Sequence, residues 1–485
     1  MFVLGIDVGT QGTRVIIVDP NGHIAAQAGH PFTSSEASYG SSGSFEQDPA
    51  MWREALWRTL RRAVTALEAT GHTASEIAAL SATSTSGTLC LVDVTHEPVG
   101  LAIMYSDTRS ASVAAAVQAA GAHLAEKLGT RFSASFAITK LYWLLQHHPE
   151  RLERARWFLS PTDLVIGWLS GEWGYSDWTN ALKWGYDVVD ERWPDFIARD
   201  LGLPAGKLPQ VGPPGRIVGR VGARAAAETG LSQETLVVSG STDGMASQIA
   251  SGAVAPGEWN STLGTTLVVK GVSETLLRDP LGRIYCHRHP DGHWAPGGAS
   301  SMGADCLTQR FGDADLDELN ARAANHTPTD VIVYPLMRKG ERLPFSVPEA
   351  EGFALGRTDD PYTWYTAHLE GMAYVERLCF KVLADLGAPI GDTLHVAGGA
   401  VRSDAGLRIR ADVLQKQLIV PEVAAGAMGA AILAARGCLY ASVADAAANM
   451  VRFERMVEPH LAHRAAYDER YNLLVDAFRQ RGYLP

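Results

Sequence analysis

Three features that would place this chain of 485 residues in a membrane or in an export pathway are missing. No uncharged apolar run reaches the roughly 18 residues of a membrane-spanning helix, and the Ala/Gly-rich stretch from Val423 to Ala435 is too short. The first residues reach Asp7 with no basic flank and no long apolar core, so we expect no signal peptide there. The five cysteines stand far apart, and an odd number in so long a chain does not indicate a disulfide framework. We therefore predict buried, reduced thiols, a cytoplasmic protein and no membrane partner.

The signatures of several catalytic and binding classes are also missing. The sequence has no Walker lysine motif, no glycine loop of the protein-kinase type and no G-x-S-x-G nucleophile elbow. Cys286, His287, His289 and His293 lie close in sequence, but no second tight pair of Cys or His accompanies them, so we predict no metal centre there. The formal net charge of −11 gives no general attraction to nucleic acid. An acidic chain can still bind a nucleotide, because a phosphate site needs only local N–H dipoles and a cation.

The length of the chain predicts two domains, because a single hydrophobic core rarely grows beyond about 250–300 residues. Strand and helix patterns alternate throughout, which predicts the α/β class. The turn from Asp7 to Thr13 resembles a second turn in the other half of the chain, from Leu263 to Thr266. Both place a Gly-Thr turn with further hydroxyls before an apolar strand. This weak internal repeat suggests two related domains that face each other.

Several element boundaries are marked by capping and turn residues. The sequence predicts a helix from Asp48 to Gly71 and a longer one from Asp360 to Gly387, each with a proline in its first turn. A predicted strand from Leu394 to Ala397 is followed by a glycine turn and a helix from Ser403 to Gln415. Ser34 to Ser44 is rich in serine and glycine, which predicts a mobile loop.

The turn from Asp7 to Thr13 has the composition of a phosphate site. Glycines let backbone N–H groups approach a phosphate, and Thr10 and Thr13 add hydroxyl donors. Asp7, at the end of a predicted strand, can hold Mg²⁺ directly or through water. The alternative is a plain hairpin turn with a capping aspartate, since a Gly-Thr pair alone is a weak signal.

Two further turns follow predicted strands. Ala397 to Ala400 fits either a close backbone approach to a nucleotide or an ordinary turn between a strand and a helix. Asp243 lies among small residues just past a strand from Leu236 to Gly240. Phosphoryl transfer needs one carboxylate to orient and deprotonate the attacking hydroxyl, and Asp243 is a candidate for it. The local sequence alone favours an Asx turn or a helix N-cap at this position.

These segments belong to an ordered set of motifs that spans nearly the whole chain. In order, the set consists of the hairpin with Asp7, Gly9 and Thr10; Glu46-Gln47-Asp48-Pro49 with Trp52; Met104 to Arg109; Lys140 to Leu144; Gly240 to Asp243; Leu263 to Thr266; Pro335-Leu336 with Gly340-Glu341-Arg342; and His395 to Ala400 with Arg402-Ser403. The set resembles the FGGY carbohydrate kinases, which belong to the actin/hexokinase/Hsp70 superfamily. Three positions depart from the family pattern: Tyr105 stands for Trp, Ala137 for Pro, Ser or Thr, and Ala400 for a third glycine.

The resemblance implies ATP-dependent phosphorylation of a small sugar in a cleft between two ribonuclease-H-like domains, residues 1–235 and 236–485. By composition alone, the Pro/Gly-rich stretch from Leu203 to Gly215 would be the linker, but the resemblance moves the crossing to Thr235. Asp243 would be the general base, and Asp7 would hold Mg²⁺ and contact the sugar. The residues implied for ATP are Thr10, Gly12, Thr13, Gly264 and Thr265 at the β- and γ-phosphates, and Gly398 and Gly399 at the α-phosphate and adenosine.

The choice of sugar depends on the loop from Ala82 to Thr88. The loop lacks both the Gln-Met-His-Gly of common bacterial xylulokinases and the Gln-Arg-Glu-Thr of glycerol kinases. Its Thr-Ser-Gly-Thr resembles the D-ribulokinase or plant and cyanobacterial xylulokinase-like subgroup, as do Asn180 to Tyr186 and Gly298 to Ser301. This implies a ketopentose, D-ribulose ahead of D-xylulose, phosphorylated at its terminal hydroxyl. Ser86 is then either a sugar contact or a structural turn serine.

Two other functions stay open at this point. One is a kinase for another polyol or a hexulose, which pocket shape would decide. The other is a non-catalytic ATP-binding relative, which would need neither Asp243 nor the loop around Ser86. For the assembly, a homodimer stays an open alternative.

Overall fold

The computed structural model describes residues 1–33, 37–39 and 43–485. Most of the loop predicted from Ser34 to Ser44 lies outside these residues. The strands are β1 (Phe2–Gly9), β2 (Gly12–Val18), β3 (Ile24–Pro31), β4 (Ala37–Tyr39), β5 (Phe45–Gln47), β6 (Ile77–Ser84), β7 (Cys90–Val92), β8 (Ala102–Ile103), β9 (Trp157–Leu159), β10 (Tyr175–Asp177), β11 (Gln210–Gly212), β12 (Ile217–Arg220), β13 (Leu236–Val238), β14 (Ser241–Thr242), β15 (Trp259–Leu263), β16 (Leu267–Gly271), β17 (Ile284–Arg288), β18 (Trp294–Ser300), β19 (Ile332–Tyr334), β20 (Phe353–Leu355), β21 (Thr393–Ala397), β22 (Gln417–Pro421) and β23 (Phe453–Val457). The helices are α1 (Pro49–Glu68), α2 (Ala114–Ala120), α3 (Ala122–Leu128), α4 (Ala137–His147), α5 (Pro149–Arg154), α6 (Pro161–Ser170), α7 (Trp178–Ala181), α8 (Phe196–Arg199), α9 (Ala223–Thr229), α10 (Asp243–Ala250), α11 (Asp305–Phe311), α12 (Leu316–Ala323), α13 (Pro361–Asp385), α14 (Asp404–Leu414), α15 (Gly426–Cys438), α16 (Val443–Met450) and α17 (Arg464–Gln480).

The chain forms two compact units, and each unit includes segments that are distant in sequence. The first unit consists of Met1–Ala250, His287–His293 and Val423–Val451. The second unit consists of Ser251–Cys286, Trp294–Glu422 and Arg452–Pro485. The sequence domains 1–235 and 236–485 stay a prediction.

The sheet of the first unit has the strand order β12-β13-β6-β1-β2-β3, with β14 also paired to β6. β1 is antiparallel to β2 and parallel to β6, which is itself parallel to β13 and β14. Leu4 and Ile6 in β1 are fully buried in a core that includes Trp52 and Leu56 of α1. Burial of each such side chain stabilises the fold by about 1.5–3 kcal/mol. Between them Gly5 lies against α15, where an added Cβ would come within 1.8 Å of the Ala427 carbonyl oxygen.

The sheet of the second unit contains the strand order β18-β16-β15-β21-β22-β23. β15 is antiparallel to β16 and parallel to β21, and β21 is parallel to β22. Both units therefore share one plan, in which an antiparallel hairpin contributes its first strand to a set of parallel strands. The core of the second unit includes the fully buried side chains of Trp259, Tyr374 and Phe478. The internal repeat seen in the sequence corresponds to the two hairpins of this plan.

The predicted helices form close to their predicted bounds. Asp48 caps α1 by accepting a hydrogen bond from the Ala50 amide (2.9 Å), and α1 ends before Gly71, at Glu68. The predicted long helix is α13, which begins after Asp360 and ends at Asp385. The predicted Ser403–Gln415 helix is α14, with Ser403 as its cap. No helix in the described ranges is long and apolar enough to cross a membrane.

All five cysteines are free thiols. Cys90, Cys286, Cys306 and Cys379 are buried, and Cys438 is partly exposed. Burial raises the pKa of the Cys286 and Cys306 thiols to about 12, so both are neutral at physiological pH. The prediction of unpaired, buried thiols is confirmed for the four buried residues.

Candidate active site

In the first unit, three parallel strands end at the same edge of the sheet. Asp7 of β1 is level with Thr83 of β6, and Ser241 of β14 pairs with the same Thr83. The Thr83 hydroxyl fixes this register because it donates to the Ser241 carbonyl oxygen (2.9 Å). The carboxyl ends of the three strands therefore bring together Asp7, the loop after Ser84 and Asp243. Carboxyl ends of parallel strands are where α/β sheets bind ligands.

Asp7 and Asp243 influence each other electrostatically. A rise in the pKa of Asp7 to about 6 has two causes, burial first and the negative charge of Asp243 second. The Arg14 guanidinium opposes it, but it lies 3.6 Å from the Asp7 carboxylate and its side chain is 64% exposed. Two carboxylates close enough to repel each other create a place that favours a cation.

The carboxylates fit Mg²⁺ by their chemistry. Mg²⁺ takes oxygen ligands and commonly uses one or two carboxylates, with water and substrate phosphates in the remaining positions. Asp7 supplies such an oxygen, and a dication would relieve the repulsion from Asp243. Within the residues that the structure describes, no cluster of three or more His, Cys, Asp or Glu side chains could hold a metal ion. This includes the part of the chain around His289.

The N-terminus of α15 lies beside Asp7. An added Cβ at Gly426, the first residue of the helix, would lie 3.2 Å from Cγ and 3.3 Å from Oδ2 of Asp7. The Ala425 side chain offers no cap to the free amides of this helix start. A helix N-terminus carries a partial positive charge that favours anions such as a carboxylate or phosphate. Gly426 is a candidate site residue that sequence reasoning missed.

Asp243 is held at the start of α10 by its neighbours. Its Oδ1 accepts a hydrogen bond from the Gly244 amide (2.7 Å), which is the local contact of a helix start. The preceding Thr242 amide donates to the Thr179 hydroxyl (3.1 Å). Asp177 in turn caps α7 and accepts from the Thr179 amide (2.8 Å). The segment from Asp177 to Thr179 thereby braces the backbone that carries Asp243.

The first hairpin turn is fixed by a buried glutamine from the Glu-Gln-Asp-Pro motif. Gln47 Nε2 donates to the Thr10 carbonyl oxygen (3.0 Å), and Gln47 Oε1 accepts from Trp52 Nε1 (3.0 Å). Gly12 is required because an added Cβ would lie 2.6 Å from the His30 carbonyl oxygen. The Thr13 hydroxyl is buried and has no hydrogen-bond partner in the part of the chain that the structure describes. A buried hydroxyl without a partner is costly, which suits a ligand contact.

Ser86, in the loop after β6, and Lys183 lie near this edge. The Ser86 hydroxyl is buried and finds no hydrogen-bond partner among the described residues. Lys183, in the 3₁₀ turn Leu182–Trp184, points its Nζ toward the Ser86 carbonyl oxygen (3.5 Å). Burial lowers the pKa of Lys183, and the Asp243 carboxylate opposes this change. The sequence interpretation noticed the segment Asn180 to Tyr186 but gave Lys183 no role.

In the second unit, two glycine turns lie side by side at the carboxyl edge of the sheet. Gly264 and Thr265 form the turn between β15 and β16, and an added Cβ at Gly264 would meet nothing within 4 Å. Gly398 follows β21 with a φ of 92°, and an added Cβ there would lie 2.5 Å from the Leu263 carbonyl oxygen. Gly399 is open like Gly264. Open space beside the backbone at two adjacent turns leaves room for a ligand such as a phosphate.

The predicted site residues thus fall into two groups. The first unit brings together Asp7, Thr10, Gly12, Thr13, Ser86 and Asp243, and the second unit brings together Gly264, Thr265, Gly398 and Gly399. Their individual roles stay predictions.

Comparison with known proteins matches most of the chain to one family. The model "FGGY family of carbohydrate kinases, N-terminal domain" matches residues 2–250, and the corresponding C-terminal domain model matches residues 260–438. A xylulose kinase from Streptomyces rubiginosus is 30% identical over 444 residues, which cover 89% of this chain and 87% of that protein. A gluconokinase from Bacillus subtilis (strain 168) is 24% identical over 456 residues, which cover 89% of this chain and 86% of that protein.

A solved structure agrees with these matches. The crystal structure of a xylulose kinase from Rhodospirillum rubrum superposes with a TM-score of 0.87, at 26% identity and 99% coverage of both chains. The α/β class and the two sheet-core domains of the actin/hexokinase type are therefore confirmed, and with them a phosphotransferase that acts on a sugar. The chain belongs to the FGGY family of carbohydrate kinases.

Proposed function

We propose that the chain transfers the γ-phosphoryl group of ATP to the terminal hydroxyl of a ketopentose, D-xylulose or D-ribulose. The observation that carries this proposal is the position of Asp243 at the sheet edge, within electrostatic reach of Asp7 and Lys183. A relative named xylulose kinase supports a ketopentose. The Thr-Ser-Gly-Thr loop around Ser86 keeps D-ribulose as the second candidate. The relative named gluconokinase makes gluconate the comparison that the test must include.

In this reaction Asp243 accepts the proton of the sugar hydroxyl. The hydroxyl oxygen then bonds to the γ-phosphorus while the bond from that phosphorus to the β–γ bridging oxygen breaks, and ADP leaves. A positive charge on Lys183 near Asp243 would favour the ionised carboxylate that a general base must be. The Ser86 hydroxyl, which has no partner among the described residues, donates a hydrogen bond to a sugar oxygen.

Asp7 holds the Mg²⁺ that accompanies ATP. When bound, this ion neutralises charge on the transferring phosphoryl group. The N-terminus of α15 beside Asp7 adds a fixed positive potential of the same kind. In the first unit Thr10, Gly12 and Thr13 contact the β- and γ-phosphates, and the Thr13 hydroxyl gains the partner that it lacks.

The glycine turns of the second unit bind the rest of the nucleotide. Gly264 and Thr265 contact the β- and γ-phosphates through backbone N–H groups, and Gly398 and Gly399 contact the α-phosphate and adenosine. An added Cβ at Gly264 or Gly399 would meet nothing within 4 Å, so there is open space for a ligand beside both residues, which supports these roles. The compartment that we propose for this reaction is the cytoplasm.

The test is sugar-dependent ADP release, measured with the unaltered protein, ATP and Mg²⁺. The panel contains D-xylulose, D-ribulose, L-ribulose, glycerol, erythritol, D-fructose and gluconate. We expect the highest kcat/KM for D-xylulose or D-ribulose, and mass spectrometry should place the phosphate on the terminal oxygen. Highest activity with gluconate or a polyol would replace the ketopentose, and ADP release that no sugar stimulates would refute the proposal.

A further inference from the structure

A buried carboxylate in the second unit is surrounded by hydrogen-bond donors. Glu341 is 3% exposed. Its Oε1 accepts from the amides of Ser301 (2.6 Å) and Arg342 (2.8 Å), and its Oε2 accepts from the hydroxyls of Ser300 (2.8 Å) and Tyr334 (2.9 Å). Hydrogen bonds to an ionised acceptor are roughly twice as strong as neutral ones. Glu341 therefore fixes the backbone at Ser300 and Ser301 firmly.

The backbone that Glu341 fixes continues into a segment, residues 300–304, that covers the turn of Gly264 and Thr265. The Ser300 hydroxyl accepts from the Met302 amide (3.0 Å), and the Met302 carbonyl oxygen accepts from the Leu267 amide (2.7 Å). The Ala304 amide donates to the Gly264 carbonyl oxygen (2.7 Å). The segment thus holds the turn at both ends.

The segment lies so close to the turn that no side chain fits between them at Gly303. An added Cβ at Gly303 would lie 2.2 Å from the Thr265 carbonyl oxygen and 2.5 Å from the Thr266 Cα. Because of this close packing and the two hydrogen bonds between segment and turn, a displacement of the segment will also displace the turn.

We propose that Glu341 is a positioning residue for the turn of Gly264 and Thr265, and that it sets the affinity of the protein for the β- and γ-phosphates of the nucleotide. The inference rests on the proposed function, in which this turn binds those phosphates. A general structural role predicts something else, namely that loss of Glu341 weakens all parts of nucleotide binding alike. The two roles separate in experiments with nucleotides that differ in phosphate number.

The substitution Glu341→Gln keeps the shape and removes the charge. The Gln side chain has an NH₂ group in place of one carboxylate oxygen. If this group replaces Oε1, it faces two backbone amides, which cannot accept a hydrogen bond. If it replaces Oε2, the two hydroxyls must rotate to accept from it. The matched control is Glu370→Gln. Glu370 is also buried in the second unit, but it accepts hydrogen bonds from Thr327 (2.7 Å) and Thr329 (3.0 Å, from the amide). Burial raises the pKa of Glu370 to about 7.

The experiment measures the Kd of AMP, of ADP and of the non-hydrolysable β,γ-imido analogue of ATP by calorimetry. For Glu341→Gln we expect a loss of about tenfold for ADP and the analogue, the size of one charged hydrogen bond, and no change for AMP. Glu370→Gln should change none of the three. Ser300→Ala, which leaves Glu341 in place, should show the same selective loss at a smaller size, so the proposal can be judged even if Glu341→Gln does not fold.

Three other outcomes would count against the proposal. An equal loss for AMP and ADP, an unchanged affinity for ADP, or the same selective loss in Glu370→Gln would overturn the positioning role. The binding data need no turnover, so they are independent of the sugar panel. A selective loss in a protein that phosphorylates no ketopentose would support Glu341 while refuting the proposed sugar. Absence of ADP binding by the unaltered protein would refute both.

Discussion

Burial and the carboxylate of Asp243 together raise the pKa of Asp7 to about 6. The pair lies at one sheet edge because β1 and β14 both run parallel to β6. Two residues far apart in sequence therefore lie where these strands end. Close like charges are costly for stability and useful for binding a cation.

Substitution of Asp7 by Asn should stabilise the protein without Mg²⁺ near neutral pH. A carboxyl whose pKa is raised in the native state binds its proton more tightly there than in the unfolded chain. Its contribution to stability is therefore lost as pH rises from about 4 through about 6. We expect Asp7→Asn to raise the free energy of unfolding by roughly 1–3 kcal/mol near pH 7, and by less as the pH falls toward about 4.

Urea denaturation at both pH values measures this difference. The same variant should lose most of its kinase activity, since Asn is a poorer ligand for Mg²⁺. An equal gain in stability at both pH values would show that the charge of Asp7 is not the cause.

Substitution of Asp243 by Asn should lower kcat by roughly 10²–10⁴-fold, the range for loss of a general base. Asn keeps the size and can still accept the Gly244 amide, so α10 should start in the same place. KM for ATP should barely change. Steady-state kinetics with the best sugar of the panel measure both values, and a near-normal kcat would show that another group takes the proton.

Much of the fold follows from short-range patterns. Asp48 with Pro49 and Ser403 before α14 cap their helices through contacts within three residues, so the sequence alone carries the information. The two hairpins are equally local. The ordered motifs then identify the family, and the family supplies the sheet plan that local patterns lack.

The missed site residues depend on long-range packing. Gly426 lies beside Asp7 only because the Ala/Gly-rich segment near the C-terminus returns to the first unit and packs on β1. In the sequence, that segment is apolar and rich in small residues, but nothing indicates which element it packs against. Lys183 likewise approaches Ser86 through a 3₁₀ turn that no periodic pattern marks.

Substitution of Gly426 by Ala should impair catalysis through Asp7. The new Cβ would lie 3.2 Å from Asp7 Cγ, so the carboxylate must shift by a few tenths of an ångström. Small displacements of catalytic groups are costly, and we expect kcat/KM to fall about tenfold or more. The fold should tolerate the change, because alanine has a higher helix propensity than glycine.

The matched control is Gly206→Ala in the same unit, where an added Cβ meets nothing within 4 Å. Its kcat/KM should equal that of the unaltered protein. If Gly426→Ala were as active as this control, the contact with Asp7 would have no functional weight.

Substitution of Lys183 by Met should weaken sugar binding selectively. Met keeps the apolar stem and removes the ammonium group near Ser86 and Asp243. We expect KM for the sugar to rise about tenfold, which corresponds to the loss of one hydrogen bond to a charged group. KM for ATP should stay unchanged. Ser86→Ala should raise the same KM by a smaller factor, since a neutral hydroxyl contributes less.

Lys207→Met is the control, because Lys207 Nζ also donates to backbone carbonyl oxygens of the first unit, those of Leu152 (2.7 Å) and Glu153 (3.0 Å). A rise in both KM values, or an equal effect of Lys207→Met, would place Lys183 outside the sugar site.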